Sequence, residues 1–596
     1  MRKSIKHILF LEPKSSHLHV YSDAYIPRIG CLVLATIMRD LGYGVRVMLE
    51  EVEDIDTNEF GEADLICISS LTSTAPGSYQ YADFIRNVYP EKTIVMGGTH
   101  PTFVPDEALQ HCDFVVRGEG EDALVELVRC LESGADYRGI ANLSWIEDGR
   151  PVHNPERPKA EDLDVLPIPD FSLVPSGRLD IMSIQTQRGC PWDCSFCTVT
   201  KLNGHKLRGH SVERVLDMLE AYTKMPNFSY LFFADDIFNV PVDRTMAIMQ
   251  GMIDRKLIIP WAAQMRHEIS KQPELMKKMR EAGCDRVMVG FESIDETALE
   301  LYGKKETAHD VEVAIDAIHD HGIDLHAMFI AGADSDHPET IKTQFEFAKK
   351  KDLATSQCMI LTYLPGSEDT IRYDLQGGEY LSSDWSHYDG HHANHPVPNM
   401  TRYELVNTVM EGMKGMYAPH RIASKLASAA FNALRLNKRE AARQLRNGLL
   451  RLNGYSILQR WFKEHTEYLA DLRAENVSLS PDRYKRVVLA VSNVDVSRVL
   501  RTFLAEMNIR VEEFSEEKLS VLKDSDLVVM AGEMVDDVRA RVQNLHIFPV
   551  HDKNTRMDRT LTQLGILFTE NVDKVREAIA AVHFQPAQGK MATGEG

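Results

Sequence analysis

The sequence predicts an α/β protein of several modules, and three observations carry that reading. Short apolar runs alternate with helix patterns over roughly the first 140 residues, and the alternation resumes with a longer beat from 180. Six prolines (Pro151, Pro155, Pro158, Pro167, Pro169, Pro175) stand between the two series and mark a linker. A third α/β pattern begins near 485, after a helical, locally basic stretch. The 596 residues suffice for three or four such domains.

In the first module, HILFLEP (7–13), RVMLEE, LICISSL (65–71), TIVMGG (93–98) and DFVVRGEGE (113–121) read as strands with helix patterns between them. That spacing implies a Rossmann-like parallel sheet covered on both faces, over 1–145, with a Pro-rich linker over 146–178. Strands near IMSIQTQ (181–187), YLFFAD (230–235), WAAQMR (261–266), RVMVGFE (286–292), LHAMFIA (325–331) and QCMILTY (357–363) make six βα units over 179–395. Six units predict a partial (β/α)6 barrel with its active site at the C-terminal strand ends. Residues 396–480 read as a helical segment. RVVLAVS, RVEEFS, DLVVMAG, HIFPV and GILFT give a small α/β domain over 484–583, and 584–596 read as a disordered tail.

The net charge of −21 argues against a nucleic-acid backbone as main partner. Nine cysteines without disulfide spacing point to a reducing compartment. The N-terminal apolar run is too short for a signal peptide, and no run approaches the ~18 residues of a membrane span. A cytoplasmic location is therefore expected.

The sharpest local signal is RGCPWDCSFCTVT (188–200), which places Cys190, Cys194 and Cys197 within eight positions, directly after the first barrel strand. A structural zinc needs a fourth ligand, for which His205 or His210 is the candidate. Plain buried or redox thiols are a further reading. Three thiolates also suit a [4Fe–4S] cluster whose fourth iron is left for a small molecule. The position after a barrel strand moves the weight to this open cluster.

C-x3-C-x2-C with Phe196 before the last cysteine resembles the radical S-adenosylmethionine (radical SAM) enzymes. The resemblance covers about 180–395. It implies that Cys190, Cys194 and Cys197 bind the cluster and that the open iron chelates SAM. Phe196 would pack near the adenine, Asp235 and Asp236 of ADDIF would lie near the SAM amino group, and Glu292 of VGFES near the ribose. Cluster potentials can reach about −700 mV, as electron transfer into a sulfonium requires.

In the first module, Ser69, Ser70 and Leu71 end one strand, while Gly97 and Gly98 end another. Small residues there let a ligand approach the sheet edge. The pairing resembles the cobalamin-binding fold, in which such residues line the slot for the nucleotide tail. THPTF with Thr99 and His100, and RGEGE with Gly118, Glu119 and Gly120, resemble further loops of cobalamin-dependent radical SAM proteins. The cobalt-ligating motif D-x-H-x-x-G is absent. His17 and His19 lie in the relevant loop without its flanking residues, so solvated loop histidines are the preferred reading. Proteins of this group generally lack the motif, which leaves cobalt's lower face unassigned. A vestigial domain without cobalamin is the competing reading.

The resemblance implies a cobalamin-dependent radical SAM enzyme like the hopanoid methylases and the anaerobic magnesium-protoporphyrin monomethyl ester cyclases. Two SAM molecules would serve each cycle, one as methyl source by way of cobalamin and one as source of a 5′-deoxyadenosyl radical. The expected reaction is methylation of an unactivated carbon in an apolar lipid or pigment, with ring or carbon–carbon bond formation as the alternative. A ferredoxin- or flavodoxin-type reductant is the implied partner. A non-enzymatic cobalamin sensor would not need the cysteine motif. A tRNA-methylthiolating enzyme would need a second cysteine set and a basic RNA-binding end.

DWSHYDGHHANH (384–395) packs four histidines and two aspartates. The preferred reading is a loop closing the barrel's end, with substrate contact and a second metal as the others. The basic amphipathic stretch 420–465 reads first as core packing and secondarily as peripheral contact with an anionic membrane. The C-terminal domain has no Gly-rich phosphate loop and reads as a degenerate regulatory or docking domain.

Overall fold

The computed structural model describes residues 4–17, 26–174, 179, 181–225, 228–353, 355–378, 380–434 and 438–475, and the strands 486–490, 511–513, 526–531 and 546–550. The chain divides into two units, Met1–Glu464 and His465–Gly596.

The first sheet of the larger unit holds β1 (His7–Glu12), β2 (Gly44–Leu49), β3 (Leu65–Ser69), β4 (Thr93–Gly97), β5 (Phe114–Val116), β6 (Leu143–Glu147) and β7 (Arg150–His153). Their spatial order is β2-β1-β3-β4-β5-β6-β7. The first five are parallel. Ile8 through Glu12 are all buried, as a strand covered by helices on both faces requires. Order 2-1-3-4-5 is a doubly wound arrangement whose direction reverses between β1 and β3, where ligands of such sheets sit.

One expectation is corrected here. The predicted linker 146–178 and the boundary at 145 cut through an antiparallel hairpin, β6–β7, that extends the sheet. Asp148 and Gly149 both have positive φ (49° and 75°), matching the primed two-residue turn that Asp-Gly favours. The prolines masked this signal, yet Pro151 sits harmlessly on the edge strand β7.

The second sheet contains β8 (Ile181–Ile184), then a short antiparallel ribbon of β9 (Gln187–Arg188) and β10 (Arg208–Gly209) standing beside it. It continues through β11 (Tyr230–Phe233), β12 (Trp261–Met265), β13 (Cys284–Glu292), β14 (Asp324–Ala331) and β15 (Thr355–Ile360). The six main strands lie side by side in chain order and run parallel. This is the expected open (β/α)6 arrangement. Four of its helices start where a side chain caps them: Ser211, Asp295, Thr307 and Ser367 each accept a backbone N–H from the first turn. Trp261 and Phe233 are fully buried and meet edge to face at 5.1 Å.

Three helices follow, Arg402–Met416, Pro419–Leu434 and Lys438–Glu475, as the helical reading of 396–480 requires. Among the described residues no helix is long and apolar enough to cross a membrane. In the smaller unit, β16 (Arg486–Ala490), β17 (Val511–Glu513), β18 (Asp526–Ala531) and β19 (His546–Val550) form a parallel sheet in the order β17-β16-β18-β19. GILFT and the expected tail lie outside the described residues.

Candidate functional site

The cysteine loop leaves the C-terminal end of β8 by way of β9 and is held from several sides. Asp235, just past β11, is buried and accepts from the Thr186 hydroxyl at 2.5 Å and from the Thr186 and Gln187 backbone N–H groups. Burial pushes its carboxyl up to about 7, against the pull of these donors. Its neighbour Asp236 accepts from Gly189 N–H and from the Asn203 amide, both at 3.0 Å. Gly189 has φ +100°, and a Cβ there would lie 2.5 Å from the Lys206 carbonyl oxygen. Only glycine fits.

On the far side of the loop, Ser195 N–H donates to Tyr302 O at 3.1 Å, and the Ser195 hydroxyl lies 3.1 Å from both Leu301 O and Asp369 Oδ2. Gly303, at φ +72°, lets the Asp193 carbonyl approach to where a Cβ would be 2.7 Å away. Phe196 packs edge-on against the buried Tyr302 at 5.5 Å.

The three thiols are partly buried and unpaired by any disulfide. Burial pushes each of them up, Cys197 to about 12. Lys304 and Arg266 ease that rise at Cys194. Arg266 stacks over the Trp192 ring at 4.8 Å and lies 3.8 Å from Cys194 Sγ. It also pairs with Glu306 at 3.0 Å. Lys304, almost wholly buried, donates to Gly290 O at 2.5 Å and pairs with Glu292 and Glu306 at 3.2 and 3.1 Å. Burial disfavours the ammonium, but the two carboxylates outweigh it and raise the pKa. Glu292 itself stands at φ +62°, at the irregularity that ends the pairing of β13 with β14. A non-glycine residue held there stores roughly 1–3 kcal/mol of strain, a feature concentrated at functional sites.

A structural zinc would need a fourth ligand beside the three thiols. Neither proposed fourth zinc ligand turns to them: His210 Nδ1 lies 3.2 Å from Asp164, and His205 lies 3.3 Å from Asp193.

At the first sheet's C-terminal edge, Ser69 and Gly97 are direct neighbours across β3 and β4. Ser70 N–H donates to Gly97 O at 2.9 Å, and His100 N–H donates to Ser70 O. Gly98 stands at φ +98°, and a Cβ there would lie 2.6 Å from Ser70 O. Thr99 opens a short helix whose Thr102 hydroxyl accepts from Gly118 N–H, tying the two loops together. Leu71 is exposed, and the space around Gly118 is open. His100 is fully buried, 3.0 Å from the Tyr79 hydroxyl through Nε2, and its Nδ1 has no hydrogen-bond partner among the described residues. Glycine backbone, open space and an orphaned imidazole nitrogen fit a ligand tail entering at this edge.

Glu119 is engaged elsewhere: it pairs with Arg208 at 2.5 Å and Arg188 at 3.3 Å, and Arg188 also reaches Glu121 at 2.7 Å. These pairs join the first module's edge to the ribbon carrying Cys190. Arg188 and Arg208 as partners of Glu119, and Arg266 with Lys304 and Glu306, escaped the sequence reading. They converge from separate strand ends and carry no local spacing.

The four histidines of 384–395 separate. His395 stacks on Tyr363 at 3.9 Å, and His391 lies 5.1 Å from Trp461. His387 and His392 stack on each other at 4.4 Å, and His17 joins them at 5.5 and 4.7 Å. His19 lies outside the described residues.

Two family models match the chain: the radical SAM superfamily over 184–348 and the B12 binding domain over 20–128. An uncharacterized methyltransferase, PH0819, of Pyrococcus horikoshii is 30% identical over 400 residues, which span 65% of this chain and 86% of that protein. Bacteriochlorophyllide d C-12(1)-methyltransferase of Chlorobaculum tepidum is 25% identical, over 72% of this chain and 91% of its own length. Anaerobic magnesium-protoporphyrin IX monomethyl ester cyclase of Rubrivivax gelatinosus is 26% identical over 48% of this chain and 54% of the cyclase. Among solved structures, the radical SAM methyltransferase TsrM of Kitasatospora setae, with cobalamin and a [4Fe–4S] cluster bound, aligns with a TM-score of 0.54. That alignment has 18% identity and covers 64% of this chain and 76% of TsrM. The cobalamin-dependent SAM radical enzyme OxsB aligns over 98% of this chain and 82% of its own, with 15% identity and a TM-score of 0.54.

Proposed function

The chain belongs to the cobalamin-dependent radical SAM enzymes, and from that premise we propose that it methylates an unactivated carbon of an apolar, lipid- or pigment-type molecule. The family works with a [4Fe–4S] cluster, SAM and cobalamin. The observation that carries the reading is one unit joining two strand-end sites: a thiol triad and a glycine-lined edge with an orphaned imidazole nitrogen.

Cys190, Cys194 and Cys197 hold the cluster, and Ser69–Leu71, Gly97–His100, Gly118 and Gly120 take the cobalamin. Bound together, these groups supply a carbon-centred radical and a methyl donor. The chain's own residues position and shield. Asp235 and Asp236 fix the thiol loop through the backbone groups they accept from. Glu292, held by Lys304, presents a carboxylate for the SAM ribose. Phe196 offers an apolar wall for the adenine. Arg266 places a positive charge beside Cys194, which favours the thiolate that iron needs. The Glu119 ion pairs hold the two sites in fixed register.

An apolar substrate is supported by the methyltransferase relative that acts on bacteriochlorophyllide d. Leu445, Leu449 and Leu452, about half exposed at i, i+4 and i+7 of helix Lys438–Glu475, support peripheral contact with a lipid surface. A ferredoxin or flavodoxin is the proposed electron source. The cyclase relative favours ring closure as the second reading.

The test uses protein purified without oxygen from cobalamin-supplied cells, given reduced flavodoxin, SAM with a deuterated methyl group, and separate hopanoid and chlorin pigment panels. Equal amounts of 5′-deoxyadenosine and S-adenosylhomocysteine, with the deuterated methyl in product, are expected. 5′-Deoxyadenosine with an unlabelled product would replace methylation by ring closure or oxidation.

A further inference from the structure

We propose that His17, His387 and His392 form a binding site for a divalent transition-metal ion of zinc's class, separate from the cysteines and independent of the methyl-transfer reading. One ring nitrogen from each lies within 4.8 Å of the other two. The residues come from places remote in sequence: His17 from the loop after β1, at the first sheet's switch point, and His387 and His392 from the loop after the last barrel strand.

Each of the three rings has a hydrogen-bonding partner at one nitrogen. His392 Nδ1 is held by the buried carboxylate of Asp389 at 3.0 Å. His387 Nδ1 lies 3.0 Å from the Ser382 hydroxyl. His17 Nε2 lies 3.2 Å from Ser386 Oγ. Ligand histidines are nearly always fixed in this way through the other ring nitrogen, most strongly by a carboxylate. Zinc–nitrogen distances of 2.0–2.1 Å place ligand nitrogens about 3.4 Å apart. His387 and His392 stack with their planes 15° apart, so binding requires the two rings to turn out of the stack until both planes contain the ion.

Three imidazoles select the ion. Neutral nitrogen donors suit zinc and its neighbours rather than magnesium or calcium. A corrin already surrounds its cobalt with four equatorial nitrogens and leaves one axial position on each face. Three converging imidazoles therefore exceed what it accepts. The bound ion would clamp the loop after β1 to the barrel's closing loop, beside the Trp385 contacts with His100 (4.9 Å) and Glu107 (2.7 Å).

The experiment measures zinc in the full chain from cells grown without cobalamin, in a background with Cys190, Cys194 and Cys197 replaced by Ala, so that the cysteine triad cannot contribute. After equilibration with zinc and desalting, about one zinc per chain is expected. His392→Ala should reduce it to background, and Asp389→Asn should weaken zinc binding by about 10–100-fold. The second measurement adds Co²⁺ to the chain with all three histidines intact. Visible ligand-field bands that zinc abolishes are expected. Zinc at the His392→Ala level in the histidine-intact chain, or Co²⁺ that gives no such bands, would overturn the proposal. So would zinc retained in full by His392→Ala.

Discussion

Replacing Gly303 by Ala tests whether the thiol loop's position, rather than its cysteine count, governs the chemistry. The residue stands at φ +72°, and its new Cβ would lie 2.7 Å from the Asp193 carbonyl oxygen, within the cysteine loop. An L residue in this left-handed region costs roughly 1–2 kcal/mol. Ordinary carbon–oxygen contact is near 3.3 Å, so the loop must retreat by about 0.6 Å, adding roughly 1–3 kcal/mol of overpacking. Gly322 supplies the control: φ is +67°, and nothing lies within 4 Å of its would-be Cβ. Gly322→Ala therefore carries the backbone strain without the collision. Both variants are purified without oxygen, and iron per chain and 5′-deoxyadenosine formation are measured. Gly322→Ala should match the parent. Gly303→Ala should lose iron, or keep it with radical formation slowed about tenfold or more, since displacements approaching 1 Å cost about that much or more. Equal iron and equal rates in the two variants would refute the positional argument.

Three further outcomes follow from the same geometry. Cys194→Ala should abolish both cluster absorbance and SAM cleavage, and a variant retaining them in full would remove the thiol assignment. At Gly97, whose would-be Cβ already lies 3.4 Å from Val116 O, a Leu side chain should lower cobalt per chain and leave iron unchanged; equal cobalt in parent and variant counts against the slot. Glu306 is held down to about 2 because His267, Lys304 and Arg266 outweigh the burial that acts the other way. Its folded pKa is depressed, so its contribution is present above the ordinary carboxylate range and is lost as pH falls from about 4.5 toward 2. Its depression from the ordinary carboxylate value to about 2 corresponds to about 3 kcal/mol at neutral pH. The unfolding midpoint of Glu306→Gln should sit below the parent's at pH 7 and converge with it across that acidic window; a constant gap would rule out this origin.

The fold was readable where one periodicity ran unbroken. LICISS and TIVMGG are continuous apolar runs, because a covered parallel strand buries both faces. The barrel's six strands were legible for the same reason. The β6–β7 hairpin was not, since the prolines around it outweighed the single Asp-Gly turn signal. The C-terminal module's pattern matched β16 through β19, whereas its role left no chemical signature.

The sequence by itself determined the thiol triad proposed to hold the cluster and the two modules that frame it. Thiol spacing is local and survives any arrangement of the remaining chain. Only the tertiary structure decided which distant charges serve that loop: Arg266 after β12, Lys304 and Glu306 after β13, and Arg188 with Glu119 between modules. It also turned an apparently unremarkable His17 toward His387 and His392, 370 and 375 positions away by their numbers. A strand-end site is assembled from loops that share an edge in space, and sheet order sets that edge. Chain order does not encode it in any spacing a linear reading can see.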